Sequence, residues 1–259
     1  MRVFALSDPH LSLGTPGKLM DRFGPQWVGH AERMAAAWDA RIKPTDLVLV
    51  PGDISWARDL PGAAPDLAWL AARPGTKLMV KGNHEHWWPE SRARLRTVLP
   101  AGVHALIGDA VRFGEVSICG TRLWDVPGVS YHDVIAWQGE PISPELTLEE
   151  AAAARKVYQR ELQRLDRALS ELDGSAKVRV TMLHYPPVGP AEPDGHLGPP
   201  GNELTERFEQ AGVHHVVFGH LHSLDPAARK RIGGVRNGVR YHLTACDFID
   251  FTPALICEA

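Results

Sequence analysis

Only three cysteines occur in 259 residues, Cys119, Cys246 and Cys257, and no C-x-x-C spacing relates them. So odd and sparse a set excludes a disulfide scaffold and a cysteine-based zinc knuckle, and the three read as small apolar residues. No apolar run approaches the roughly 18 residues that a membrane span needs. The opening stretch Val3 to Leu6 is broken by Ser7 and Asp8 too early for a signal peptide. The chain is therefore expected in the cytoplasm, without a membrane partner. Charge of one sign is missing too: 28 Lys and Arg against 31 Asp and Glu leave −3, so no global basic field recruits nucleic acid. No repeat, low-complexity tract or linker is visible, and residues 1–259 read as one domain. With 44% hydrophobic residues there is enough apolar surface for one large core.

Histidine, by contrast, is plentiful, with 13 in the chain. Short runs rich in Val, Leu and Ile predict buried strands at Val3 to Leu6, Leu47 to Val50, Lys77 to Val80, Val178 to Leu183 and Val213 to Phe218. Helical spacing over Ala31 to Ile42 and Asp66 to Ala72 gives a β-α-β rhythm, hence an α/β sheet. Val103 to Ile107, Val111 to Cys119, Val239 to Leu243 and Ala254 to Cys257 predict further strands, partly antiparallel or in a second sheet. A helix starts at Thr147, where Thr147 and Glu150 form a capping-box pattern, and carries Val157, Leu162, Leu165, Leu169 and Leu172 on one face. Leu11 to Trp27 and Thr121 to Pro144 are long Gly- and Pro-containing loops of the kind that line sites.

Each putative strand ends in a metal-competent group: Asp8-Pro9-His10, Gly52-Asp53, Gly82-Asn83-His84-Glu85, His184, and Gly219-His220-Leu221-His222. Strand ends at one sheet edge can converge imidazoles and carboxylates on two cations. The motifs differ in weight. Chance alone yields D-x-H about 0.8 times in a chain of this composition, G-H-x-H about 0.06 times, and G-N-H followed by an acid about 0.002 times. The tetrad at Gly82 therefore carries most of the signal.

This ordered set, spanning residues 8 to 222, resembles the calcineurin-like metallophosphoesterases, including class III cyclic-nucleotide phosphodiesterases. The run Gly52-Asp53-Ile54-Ser55-Trp56 is also similar to bacterial predicted phosphohydrolases. The resemblance implies an α/β fold, a four-layer α-β-β-α sandwich with a dinuclear site at the strand ends. By motif position it implies Asp8, His10 and His222 on one metal, Asn83, His184 and His220 on the other, and Asp53 bridging. The ligand types suit Mn best, with Fe or Zn as alternatives, over Mg or Ca. A hydroxide held between the metals would attack phosphorus, with His84 as general acid and Glu85 orienting its imidazole and raising its pKa. Asp53 is not followed by an Asp-Arg-Gly run, a departure that argues against Ser/Thr protein phosphatase activity.

His86, Trp87 and Tyr185 flank these motifs and are candidates for substrate contact, with core packing as the competing reading for the aromatics. Isolated histidines, His30, His104, His132, His196, His214, His215 and His242, read as structural. The segment Arg229 to Arg240 reads as a solvated basic loop. The leading function is hydrolysis of a small nucleotide-like or cyclic phosphodiester. A DNA or RNA nuclease, a phosphomonoesterase and an inactive metal-binding scaffold are the alternatives. Duplex nucleic acid is not expected as a partner, and the oligomeric state stays open.

Overall fold

The computed structural model describes residues 1–136, 147–193 and 198–259. His196 and residues 137–144 of the second long loop lie outside the described residues.

The first sheet comprises β1 (Arg2–Ala5), β2 (Leu47–Val50), β3 (Thr76–Met79), β4 (Val103–Ala105) and β11 (Ala254–Glu258), in the order β11-β1-β2-β3-β4. The second comprises β5 (Asp109–Phe113), β6 (Val116–Thr121), β7 (Val178–Leu183), β8 (His215–Phe218), β9 (Gly234–Arg236) and β10 (Val239–Leu243), in the order β5-β6-β7-β8-β10-β9. Both have a parallel interior, and β11, β5 and β9 pair antiparallel at the edges. The helices are α1 (His30–Arg41), α2 (Leu60–Ala72), α3 (Arg92–Val98), α4 (Leu148–Ser170) and α5 (Glu203–Gln210).

Period-two alternation assigns the layers. Val3, Ala5, Leu47, Leu49 and Leu78 meet Ile118, Val180, Met182 and Val217 of the other sheet in one core cluster. Their neighbours Phe4, Val48, Val50 and Met79 turn the opposite way onto Met34 and Trp38 of α1 and Leu67 and Leu70 of α2. On the far side, Tyr158, Leu162, Leu165 and Leu169 of α4 and Leu204 and Phe208 of α5 cover the second sheet. The result is the expected α-β-β-α sandwich.

Three details differ from the sequence reading. Val111 to Cys119 is not one strand but the hairpin β5–β6, since Gly114 turns the chain at φ +55° with Phe113 opposite Val116. The α4 stripe runs through Tyr158 rather than Val157, the i, i+4, i+7 and i+11 positions falling at 158, 162, 165 and 169. Its capping box at Thr147 and Glu150 is present. The basic segment is tied down: Arg231 donates to the Ala191 carbonyl and pairs with Asp133, and Arg229 donates to the Phe248 carbonyl.

Parallel strands place all their C-terminal ends at the same edge. Asp8 and His10 follow β1, Asp53 follows β2, Asn83 follows β3, His184 follows β7, and His220 and His222 follow β8. Among the described residues no helix is long and apolar enough to cross a membrane.

Candidate metal centre

The loops leaving these strands are stitched together by the backbone. The N–H of Asp8 donates to the Gly52 carbonyl, and that of His10 to the Asp53 carbonyl, each at 3.0 Å. The N–H of His220 donates to the Asp8 carboxylate at 3.0 Å, and that of His84 to Asp53 Oδ1 at 2.9 Å. Two glycines make this closeness possible. A Cβ on Gly82 would lie 2.1 Å from Asp53 Oδ1, and one on Gly219 would lie 2.2 Å from Asp8 Oδ2, so no other residue fits either cradle. Asp8, His10, Asp53 and His220 also hold positive φ, four of the nine described non-glycine residues that do. Such conformations cost about 1–3 kcal/mol each and persist where the surroundings impose them.

Two groups of donor atoms emerge, Asp8 with His10 and His222, and Asp53 with His184 and His220. In the first, His10 Nε2 lies 3.0 Å from His222 Nε2, which is 3.7 Å from Asp8 Oδ1. In the second, Asn83 Oδ1 lies 2.6 Å from His184 Nε2 and 3.0 Å from His220 Nδ1. Asp53 Oδ2 stands 3.9 Å from His10 Nε2 and 3.6 Å from His184 Nε2, between the two groups. Ligand atoms about 2.0–2.2 Å from a shared ion stand roughly 3 to 4 Å from one another, so the spacing fits two divalent cations.

The protonation pattern supports the same conclusion. His184 Nδ1 donates to the Pro51 carbonyl at 2.9 Å, which leaves Nε2 with a lone pair. That lone pair faces the amide oxygen of Asn83, and a cation between them would accept both. Burial and neighbouring imidazoles push His10 and His220 well below the usual histidine range, so both are the neutral rings that metals need. Burial raises Asp8 to about 6 and raises Asp53 as well, because a buried carboxylate without a cation retains its proton more readily. His222 differs: burial would lower it, yet its hydrogen bond to Asp247 and the charges of Asp8 and Asp53 lift it to about 9. A cation there displaces a proton.

Asp247 is the residue that the motifs missed. It follows β10 in the run Ala245-Cys246-Asp247, accepts from His222 Nδ1 at 2.8 Å and from the Ser223 N–H at 3.0 Å, and so orients His222 Nε2 toward the cluster. An acid after an apolar strand was the available signal, but no recognised metal-ligand motif contains it. Asp247→Ala is expected to weaken metal binding about 10- to 100-fold, the usual effect of losing a partner behind a histidine ligand. Metal titration with competition by a chelator measures this, and unchanged affinity would remove Asp247 from the site.

Glu85 does not orient His84. Its carboxylate is fully buried and accepts backbone N–H groups from Gly82, Asp53, Ile54 and Ser55 at 2.6, 2.9, 2.6 and 3.4 Å. Consecutive side chains diverge here, His84 toward the cations and Glu85 beneath them. His84 is shifted down, chiefly by burial, rather than up. Its Nε2 lies 3.9 Å from Asp53 Oδ2 with the side chain 31% exposed. Trp56 covers it, with ring centroids 4.2 Å apart, and stacks on His10 at 5.0 Å. Trp27 packs edge-on against His10 and His222, so the Leu11 to Trp27 loop does wall the first cluster.

The three candidates for substrate contact part company. Trp87 is 3% exposed and belongs to the core beneath the first sheet. Tyr185 is buried with its ring 4.4 Å from His220 and packed on Trp124. His86 is exposed beside a groove that also takes Arg58 and Arg94. His30 is structural, bonded to the carbonyls of Trp27 and Pro9.

Comparison with known proteins agrees with this geometry. The phosphopantetheinyl hydrolase from Mycobacterium tuberculosis superposes with a TM-score of 0.54 at 19% identity, over 100% of this chain and 96% of that one, a likeness of fold. The Gene 66 protein of Mycobacterium phage L5 is 36% identical over 63 residues, 24% of this chain and 30% of its own. That of phage D29 is 32% identical over 90 residues, 35% of this chain and 43% of its own. The chain thus spans less than half the length of these two relatives. The sequence model of the calcineurin-like phosphoesterases matches residues 1–224, which include every strand-end motif, and the chain belongs to that family.

Proposed function

We propose that this protein is a dinuclear-metal-dependent phosphodiesterase of the cytoplasm, acting on small nucleotide-like or cyclic phosphodiesters with manganese as the preferred metal. The observation that carries the reading is the pairing of two carboxylate-imidazole clusters about Asp53 with a partly exposed His84 at their edge. Two divalent cations held there would acidify a water and neutralise phosphate oxygens. Asp8, His10 and His222 would hold one cation, Asn83, His184 and His220 the other, with Asp53 between the two groups. His84 stands free to pass a proton to the departing alkoxide. Among the described residues its ring makes no hydrogen bond, and Trp56 limits how it can turn. An alkoxide is a poor leaving group, so this proton matters.

A groove of about 510 Å³ walled by Gly14, Thr15, Lys18 and Arg58 lies beside Trp56, and no metal ligand lines it. Purified protein should hydrolyse a bis(nitrophenyl) phosphate with added Mn, lose activity to a chelator, and act more slowly on the nitrophenyl monoester. Preference for the monoester would shift the reading to a phosphomonoesterase. Salt-sensitive degradation of duplex DNA would shift it to a nuclease.

His84→Ala is expected to keep both metals and lose roughly 10²- to 10⁴-fold in rate on an alkyl diester. With nitrophenolate, which departs without a proton, the loss should be much smaller. Equal losses on both esters would assign His84 to positioning instead.

A further inference from the structure

Beside the metal clusters, the edge between the two sheets gathers charges that the reading above leaves unused. Lys81 follows β3, Arg122 follows β6 and Arg164 lies on α4. With Thr121, Glu161 and Trp88 they line a cavity of about 120 Å³. That is the space of about four waters at roughly 30 Å³ each, enough for one tetrahedral oxyanion.

Glu161 anchors the group. Its buried carboxylate accepts the Thr121 hydroxyl at 2.7 Å and Arg164 Nη1 at 2.5 Å, and stands 3.7 Å from Arg122 Nη2. Arg122 is further held 4.7 Å over the Trp124 ring. One carboxylate thus fixes two guanidiniums. The Lys81 ammonium has no hydrogen-bond or ion-pair partner among the described residues. Three cations against one carboxylate leave an excess of two positive charges around the cavity. A bound anion would balance this excess.

The cavity adjoins the metal ligands. Lys81 is two residues before Asn83, which puts their Cα atoms within about 7 Å. The Arg122 carbonyl accepts the N–H groups of His184 and Tyr185 at 3.2 and 3.1 Å.

We propose that the Lys81, Arg122 and Arg164 cavity is an anion subsite that holds a second phosphate group of the substrate. The proposal rests on the phosphodiesterase reading and narrows it: the preferred diester carries a further, terminal phosphate. The planar guanidiniums offer paired donors to phosphate oxygens, and Lys81 adds a point charge.

Two nitrophenyl esters of thymidine monophosphate test this, one with and one without a phosphate on the other sugar hydroxyl. For the Mn-loaded protein, KM is expected to be at least about tenfold lower for the bisphosphate, as charge-assisted hydrogen bonds to one group allow. In Lys81→Met and Arg164→Gln the ratio of the two KM values should fall to within about twofold of unity. A ratio near one in the unaltered protein, or one that survives both substitutions, overturns the subsite. Turnover of neither ester would count against the phosphodiesterase reading, and direct binding then decides the subsite alone. Inorganic phosphate titrated calorimetrically into chelator-treated protein, with ionic strength held by chloride, should bind and lose about tenfold in affinity in Arg164→Gln. Absent binding, or equal affinity in the variant, overturns the proposal whatever the turnover.

Discussion

Asp53→Asn is expected to cost more than the roughly 10²- to 10³-fold that removal of one electrostatic donor costs an enzyme. Asp53 Oδ2 lies within 4 Å of the Nε2 atom of an imidazole from each cluster, 3.9 Å from His10 and 3.6 Å from His184. An asparagine can keep Oδ1 toward the His84 N–H, which Asp53 now holds at 2.9 Å. Its NH₂ must then point at the place both cations share, with hydrogens where a lone pair is needed. Metal content should therefore fall from two equivalents to one or fewer. The fold should not suffer. Burial raises the Asp53 pKa, so its charge is unfavourable until cations arrive, and the neutral amide removes that cost. The chelator-treated variant is thus expected to melt no lower than the chelator-treated parent. A variant that retains two equivalents of Mn and near-parental turnover would show that Asp53 does not bridge.

How much of this was legible follows from which signals are local. Each ligand motif sits directly behind an apolar strand, and parallel strands carry their C-terminal ends to one edge. Motif order plus strand prediction therefore brought Asp8, His10, Asp53, Asn83, His184, His220 and His222 together without coordinates. The four layers were expected from the family resemblance alone, because β1 and β2 are buried on both faces and carry no alternation that tells one layer from the other.

Contacts across the chain were not legible. Asp247 reaches His222 from the next strand over, β10, and no spacing rule joins positions 25 residues apart. Trp87 and Trp88 stand beside the strongest motif, yet both turn into the core, since large apolar area outweighs proximity to a site. Helix α5 escaped notice because only Leu204, Thr205 and Phe208 are buried in its eight residues, too short a stripe to show a period. Glu85 misled for the opposite reason. It is adjacent to His84 in sequence, and adjacency suggested a hydrogen bond that turn geometry forbids.

That misplacement has a large energetic consequence. Glu85 is the shared acceptor of four backbone N–H groups, three from the loop after β2 and one, Gly82, from the loop after β3. It therefore clamps the segment bearing Asp53 to the segment bearing Asn83 and His84. Burial, and secondarily the negative charge of Asp53, raise its pKa to about 8, so the clamp is costly in charge and is maintained by those donors. In Glu85→Ala the donors lose their acceptor in a closed interior, at about 1–3 kcal/mol for each one left unpaired. Water entering the vacated space satisfies some of them, so a net loss of about 4 kcal/mol is the expected result, large for one substitution. For a chain of this size that lowers Tm by roughly 8 to 16 °C. Glu85→Gln keeps one carbonyl oxygen but turns an amide N–H₂ toward other N–H groups, so it should recover only part of the loss. Differential scanning calorimetry of the two variants measures both steps. If Glu85 instead oriented His84, Glu85→Ala would melt within about 2 °C of the parent and lose rate only on poor leaving groups, the pattern expected of a partner to a general acid. The clamp predicts the reverse: a steep fall in Tm, and loss of metal together with turnover on every ester.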